Sequence, residues 1–123
     1  MGLPPFYRAN YKMRNHDIHL EALSEESRKY ILAFLPSHLA YSNQYSKLCR
    51  ILLDFQFLQA KLNEINVQAL IEDYDLISKL SIRLDTKKHL KLIQDTLKLS
   101  AHILATDSSQ LASQLIARLA ADR

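Results

Sequence analysis

The chain has 123 residues and a formal net charge of +3, with 48% hydrophobic and 24% charged residues. These values are typical of one soluble globular domain, and the length excludes two full domains. Glycine occurs once and proline three times, and the chain beyond Pro36 contains neither. Because phosphate-binding loops, nucleophile elbows and tight β-turns depend on glycine, the composition excludes such sites and indicates helices.

The cysteine content and the apolar runs indicate where the protein works. Cys49 is the only cysteine, so no intramolecular disulfide can form, and a reducing compartment is expected. The sequence has no stretch apolar enough to span a membrane and no signal-peptide pattern. We therefore expect a cytoplasmic protein without a membrane segment, in which Cys49 is a buried, inert thiol.

The first 20 residues differ in composition from the rest of the chain. They contain two adjacent prolines, three aromatic residues and the three basic residues Arg8, Lys12 and Arg14. We interpret residues 1–20 as an irregular basic and aromatic arm, followed by a single helical domain over residues 21–123.

The first helix is predicted from its N-terminal residues. Ser24 has the chemistry of an N-cap, and Glu25 and Glu26 place carboxylates near the positive end of the helix dipole. Apolar residues at helical spacing carry the helix toward Leu35. Pro36 then either ends the helix or opens a short new turn.

Two further helical patterns follow, each with a polar residue suited to capping. Asp54 can act as an internal cap if residues 44–63 divide into two helices, and Asn66 is predicted to cap the next helix. The apolar sets are Leu48, Ile51, Leu52, Phe55, Leu58 and Leu62, and then Val67, Leu70, Ile71, Tyr74, Ile77 and Leu80 or Ser81.

The longest helix is predicted to begin at Asp85 or Thr86 and to end near Ala105. It is apolar on two sides, and Lys87, Lys91 and Lys98 share the remaining narrow face. One apolar stripe contains Leu90, Ile93, Leu97, Ala101 and Leu104, and the other contains Leu92, Leu99 and Ile103. We therefore predict a central helix, contacted by neighbours before and after it in the chain.

A polar break precedes the last predicted helix. The break is Thr106, Asp107 and Ser108, and the helix after it carries the stripe Leu111, Leu115, Ile116 and Leu119. The expected fold class is all-α, with five to six short antiparallel helices in a bundle or an array of helix hairpins.

The charges are distributed in two blocks of opposite sign. Residues 54–77 contain one lysine and five acidic residues, whereas residues 78–105 contain six basic and two acidic residues. Such neighbouring segments can face each other inside one domain. They also supply the candidate protein-contact surfaces, which are an acidic face of Glu72, Asp73 and Asp75 and a basic face of Lys87, Lys91 and Lys98.

Catalytic and metal-binding patterns are weak. His16 and His19 stand at a spacing that could bring two imidazoles to one metal ion, but no third or fourth ligand accompanies them. On a helix Glu72 and Asp75 face one way while Asp73 points elsewhere, as is typical of a solvated face. We predict no catalytic residue, no metal site and no cofactor. A metal- or cofactor-dependent helical enzyme using His16, His19 and the acidic residues stays open as an alternative.

A nucleic-acid-binding regulator is the other alternative. Lys87, Lys88, His89 and Lys91 form a basic run, and the arm adds further positive charge. The run contains no interleaved aromatic residues for base stacking, which disfavours a nucleic-acid partner. Steeply salt-dependent binding would support this alternative.

Several segments resemble one protein family in order and spacing. They are residues 51–62 (ILLDFQFLQAKL), 69–76 (ALIEDYDL), 97–105 (LKLSAHILA) and 110–119 (QLASQLIARL), preceded by residues 35–39 (LPSHL). They are similar to the helical segment that joins the nucleotide-binding module to the WD-repeat propeller in bacterial, notably cyanobacterial, signalling ATPases related to the apoptotic protease activating factor. The resemblance covers about residues 30–119.

The resemblance implies an all-α spacer and interaction platform without active-site residues. We therefore expect a non-enzymatic linker or interaction module that contacts neighbouring domains, a partner chain or a second copy of itself. The chain could be an excised domain, a truncated product or a free-standing adaptor.

Overall fold

The computed structural model describes residues 20–78, 80 and 82–121, so the arm predicted over residues 1–20 lies almost wholly outside the described residues. In the described part the chain forms six α-helices and no strand. The helices are α1 (Glu25–Tyr41), α2 (Tyr45–Leu52), α3 (Phe55–Glu64), α4 (Val67–Asp75), α5 (Leu84–Thr106) and α6 (Leu111–Ala121). The predicted all-α fold is confirmed.

Three predicted caps begin three of these helices. Side-chain oxygens of Ser24, Asp54 and Asn66 accept hydrogen bonds from first-turn backbone amides of α1, α3 and α4, at 3.2, 2.9 and 2.7 Å. Asp107 caps a short 3-10 turn (Ser108–Gln110) in the same way and so begins the approach to α6. These polar residues set the boundaries that glycine would mark in other chains.

Helix α1 continues through Pro36 to Tyr41, so the predicted end or new turn at Pro36 is wrong. Pro36 removes one backbone donor, but the turn after it places Leu39 in the core with no exposed surface. Burial of that side chain offsets the lost hydrogen bond. Asn43 then takes a left-handed φ of 61°, a conformation that asparagine tolerates, and the chain turns into α2 without glycine.

Helix α5 begins one residue earlier than predicted, at Leu84, with Arg83 in the cap position and no capping hydrogen bond from its side chain. Asp85, one of the two predicted starting residues, lies in the first turn. Its carboxylate accepts a hydrogen bond from the amide of Thr86 at 2.9 Å, and this bond is the main reason that the pKa of Asp85 is lowered. The acidic side chain also faces the positive end of the helix dipole.

One apolar core joins all six helices. Helix α5 packs on α4 over most of the length of α4 and also contacts α2 and α6, so it has neighbours before and after it in the chain, as predicted. Helix α1 packs mainly against α2 and α3 and also contacts α4. The core residues without exposed surface are Leu32, Leu39, Leu48, Leu52, Leu70, Leu97 and Leu111.

Several residues of the predicted apolar stripes lie outside the core. Phe55 is 42% exposed, while Phe57 is almost completely buried. The apolar phase of residues 44–63 was predicted from a continuous helix, whereas the break at Asp54 changes the phase of α3 relative to α2. The second apolar stripe of α5 is also not in the core, because Leu99 and Ile103 are 66% and 42% exposed. In the last predicted stripe Leu111 and Leu115 are buried, but Ile116 and Leu119 are exposed, because they lie on the outer side of α6.

Candidate interaction surfaces

One of the three carboxylates of α4, that of Asp73, lies in the core. Asp73 is buried, and its Oδ2 lies 2.7 Å from Nζ of Lys61 on α3, a side chain that is only 1% exposed. Asp73 therefore does not belong to the acidic face that the sequence predicts. Because a helix turns about 100° per residue, Glu72 and Asp75 remain outside while Asp73 points inward.

The charged pair of Lys61 and Asp73 is held in an environment with little water. Burial raises the pKa of Asp73 from its ordinary value of 3.8 to about 6, and the nearby Lys61 ammonium opposes that rise. Beside the pair, the hydroxyl of Tyr74 donates a hydrogen bond of 2.8 Å to the carbonyl of Leu52. Burial also raises the pKa of this phenol. The pair and the tyrosine fix α4 against α3 and the end of α2, so their role is structural.

The two other acidic residues of α4 remain accessible. Glu72 is exposed and accepts a hydrogen bond from Gln68 on its own helix at 3.1 Å. Asp75 accepts a hydrogen bond of 2.8 Å from Nε2 of Gln94 on α5, and the same Nε2 also donates to the carbonyl of Ile71. The buried amide of Gln94, which the sequence did not single out, is thus the polar link between α4 and α5.

The three predicted lysines lie along one wall of a cleft between α4 and α5. This cleft, called the lysine cleft below, has a volume of about 340 Å³. Its lining residues are Tyr74, Asp75, Ile77, Ser78, Lys87, Leu90, Lys91, Gln94 and Lys98. The structure therefore brings Lys87, Lys91 and Lys98 together, and it adds Asp75 from the acidic group to the same cleft.

The lysines of the cleft differ in how they are held. Nζ of Lys87 donates to the carbonyl of Leu80 at 3.3 Å, and Lys91 forms an exposed ion pair of 3.0 Å with Asp95 one turn further along α5. Lys98 is exposed, and among the described residues it has no carboxylate within ion-pair distance. The cleft thus offers ammonium groups that can bind an anionic partner.

Among the described residues, no ion pair joins the acidic block, residues 54–77, to the basic block, residues 78–105. In the described part of the chain, the ion pairs of the basic block are Arg83 with Asp85 and Lys91 with Asp95, both inside that block. The side chain of Gln94 links the two blocks by donating to Asp75 and to the carbonyl of Ile71. Most of the positive charge on α5 therefore stays available at the surface.

A second exposed surface on α5 is apolar. Leu92, Leu99 and Ile103, called the apolar row below, follow one another at intervals of about two turns and one turn on the same helix face. Leu99 also lines a shallow groove with Thr96, Ser100 and residues of α6. The hydroxyl of Ser100 donates to Gln114 at 2.8 Å across this groove and so holds α6 beside the row.

The other candidate residues form no reactive centre in the described structure. Cys49 is buried, and burial raises the pKa of its thiol, which keeps it protonated and unreactive. Among the described residues, no group of three His, Cys, Asp or Glu side chains is placed to hold a metal ion. His16 and His19 lie outside the described residues. No helix of the described part is both long and apolar enough to cross a membrane.

Comparison with known proteins agrees with this architecture. The family model of the APAF-1 helical domain matches residues 8–117 of the chain. Neither a search of curated proteins nor a search of solved structures gives a significant match. The family match covers all of α1 to α5 and most of α6, including the lysine cleft, the apolar row and the buried pair of Lys61 and Asp73. By this match, the chain belongs to the family of the APAF-1 helical domain.

Proposed function

We propose that the chain is a non-enzymatic interaction and linker module of a signalling NTPase-type protein. Its membership of the APAF-1 helical domain family supports this function at the coarse level. The finer proposal is that it stands between a nucleotide-binding module and a WD-repeat propeller in a bacterial protein of the cytoplasm, or acts as a free-standing relative of such a segment. As a packed helical array, it would couple the position of one neighbouring domain to the position of another.

The observation that carries the proposal is the surface of α5. This helix is packed into the core by Leu90, Leu97 and Leu104, yet two residues of the apolar row, Leu99 and Ile103, are exposed and the third, Leu92, is half-buried. Contiguous apolar groups on the surface commonly mark protein contacts. The same helix carries the lysine cleft on another face, so a single rigid element can contact two neighbours.

Retention of host proteins by two variants tests the proposal. Leu99→Glu places a charge in the apolar row, and Ser113→Glu places the same charge at an exposed position of α6 that does not line the groove beside Leu99. We expect a set of host proteins that is retained by the wild-type chain and by Ser113→Glu but is lost with Leu99→Glu, while helix content by circular dichroism stays the same. Equal retention by all three chains, or no retention by any of them, would contradict the proposal.

A nucleic-acid-binding regulator remains the second candidate, because Lys87, Lys88, Lys91 and Lys98 all lie on α5. Asp75 and Asp95 stand among these lysines and would repel a phosphate backbone. A steep loss of oligonucleotide binding with rising salt would support this candidate, and no binding at low salt would exclude it.

A further inference from the structure

The lysine cleft combines positive charge with an apolar floor. Lys87, Lys91 and Lys98 supply the charge on one wall. Ile77 and Leu90 also line the cleft and are buried, and they are called its floor below. A free phosphate ion would use only the ammonium groups, and an apolar ligand would use only the floor. The combination fits a ligand that presents carboxylates and an apolar side chain together.

Each ammonium group of the cleft has N–H groups that it can donate to such a ligand. Lys87 donates one of its three N–H groups to the carbonyl of Leu80, so two remain. Lys91 is paired with Asp95 in an exposed contact, which a competing carboxylate can replace with little loss. Lys98 has no acidic partner among the described residues.

The spacing of the lysines sets the length of the ligand. Lys87 and Lys98 are three helical turns apart, which corresponds to about 16 Å along the axis of α5. An extended peptide covers that distance with about five residues. Carboxylates near the two ends of such a segment would face Lys87 and Lys98, and an apolar side chain between them would face the floor.

We propose that the lysine cleft binds a short acidic segment of a partner protein, one that carries an apolar side chain between its carboxylates. This inference rests on the proposed function as an interaction module and names the chemistry of one partner. Asp75 supports a peptide over a nucleic acid, because it lines the cleft with its carboxylate hydrogen-bonded to Gln94. A continuous phosphate backbone would meet that charge, whereas a peptide can place an amide there.

Direct titration with a defined peptide tests the inference. The probe is fluorescein-labelled Glu-Glu-Leu-Leu-Glu-Glu, and the comparison peptide has glutamine in place of every glutamate. We expect saturable binding of the acidic peptide that weakens with salt, and no binding of the glutamine peptide. Peptide-induced NMR shifts should fall on Ile77, Gln94 and Lys98.

Two single variants that each remove one positive charge, Lys98→Gln and Lys88→Gln, locate the binding. Lys98→Gln should weaken peptide binding three- to fivefold, and Lys87→Gln combined with Lys98→Gln should weaken it at least tenfold. Lys88→Gln is the matched control, because Lys88 is exposed on α5 but does not line the cleft. It should leave the affinity within twofold. Equal loss for Lys88→Gln and Lys98→Gln would reduce the effect to net charge and overturn the inference.

The remaining outcomes separate this inference from the proposed function. If the acidic peptide does not bind while host proteins are still lost with Leu99→Glu, the inference is overturned and the interaction module stands. Tighter binding of a single-stranded oligonucleotide that competes with the peptide at the cleft would also overturn it. If peptide binding follows the lysine variants but no host protein depends on Leu99, the proposed use of the apolar row fails instead.

Discussion

Lys61 and Asp73 form a buried ion pair between α3 and α4. Both side chains are buried and their charged atoms are 2.7 Å apart. Removing one partner leaves the other charge buried without a counterion, which is far more damaging than removing both. Replacing both residues by apolar residues of similar size removes both charges, so neither charge is left buried without a counterion.

Substitution of the pair should show this asymmetry. Lys61→Met is expected to lower the free energy of unfolding at neutral pH by about 3–5 kcal/mol. Lys61→Met combined with Asp73→Leu should recover most of that loss, as measured by urea unfolding of the single and double variants. Additive losses in the double variant would show that the two charges do not act as a pair.

The raised pKa of Asp73 predicts a pH dependence of stability. The folded chain holds the Asp73 proton up to about pH 6, whereas the unfolded chain releases it near pH 3.8. Between these values the folded state binds more protons, so this residue makes stability fall as pH rises, by up to about 3 kcal/mol in total. Above and below that window its contribution is constant.

Comparison with Asp73→Asn isolates this effect, because the other titrating groups are the same in both chains. The difference in unfolding free energy between the wild-type chain and Asp73→Asn should change between pH 4 and 6 and be flat from 6.5 to 8. Carboxyl NMR of Asp73 should give the same midpoint of about pH 6. A midpoint near pH 4 would contradict the assigned effect of burial.

At the scale of the helix, polar side chains cap the beginnings of α1, α3 and α4. Asp54 and Asn66 each accept a hydrogen bond from an amide of the next helix, at 2.9 and 2.7 Å. Asp54→Ala or Asn66→Ala should therefore lower stability by about 1 kcal/mol each, while Asp54→Asn should retain most of it. Thermal unfolding of the three variants measures the difference. An equal loss for Asp54→Asn and Asp54→Ala would rule out a capping role.

These element boundaries could be predicted because their causes are local. Ser24, Asp54 and Asn66 each precede an apolar repeat, and the short-range capping chemistry is visible in the sequence. The path of α1 through Pro36 could not be predicted in this way, because burial of Leu39 depends on distant helices. Lys61 was missed for the same reason, since a lone lysine in an acidic segment does not reveal that it points inward.

The candidate site was predicted in part. The spacing of Lys87, Lys91 and Lys98 correctly places these residues on one side of α5, because helical phase alone determines it. That they meet Asp75 in a cleft depends on how α4 packs against α5 through Gln94. This contact joins two separate parts of the sequence, so no local sequence pattern predicts it.

On the scale of the whole molecule, the apolar row should affect association more than folding. Leu99 and Ile103 are exposed, so Leu99→Lys with Ile103→Lys should change the free energy of unfolding by no more than about 0.5 kcal/mol. The same variant should reduce the fluorescence of a dye that binds exposed apolar surface. A large loss of stability would show that the row is packed inside the domain.

The two-residue connections between α2, α3 and α4 limit how the domain can move. Residues 53–54 and 65–66 form these connections, and in each one the second residue is the cap of the following helix. A hinge rotation at residues 65–66 would break the Asn66 cap and separate Lys61 from Asp73. One at residues 53–54 would break the Asp54 cap and separate Tyr74 from the carbonyl of Leu52. We therefore expect α2, α3 and α4 to move as one rigid unit. A force that a neighbouring domain exerts on α2 would therefore move α4, and the lysine cleft beside it, together with α2.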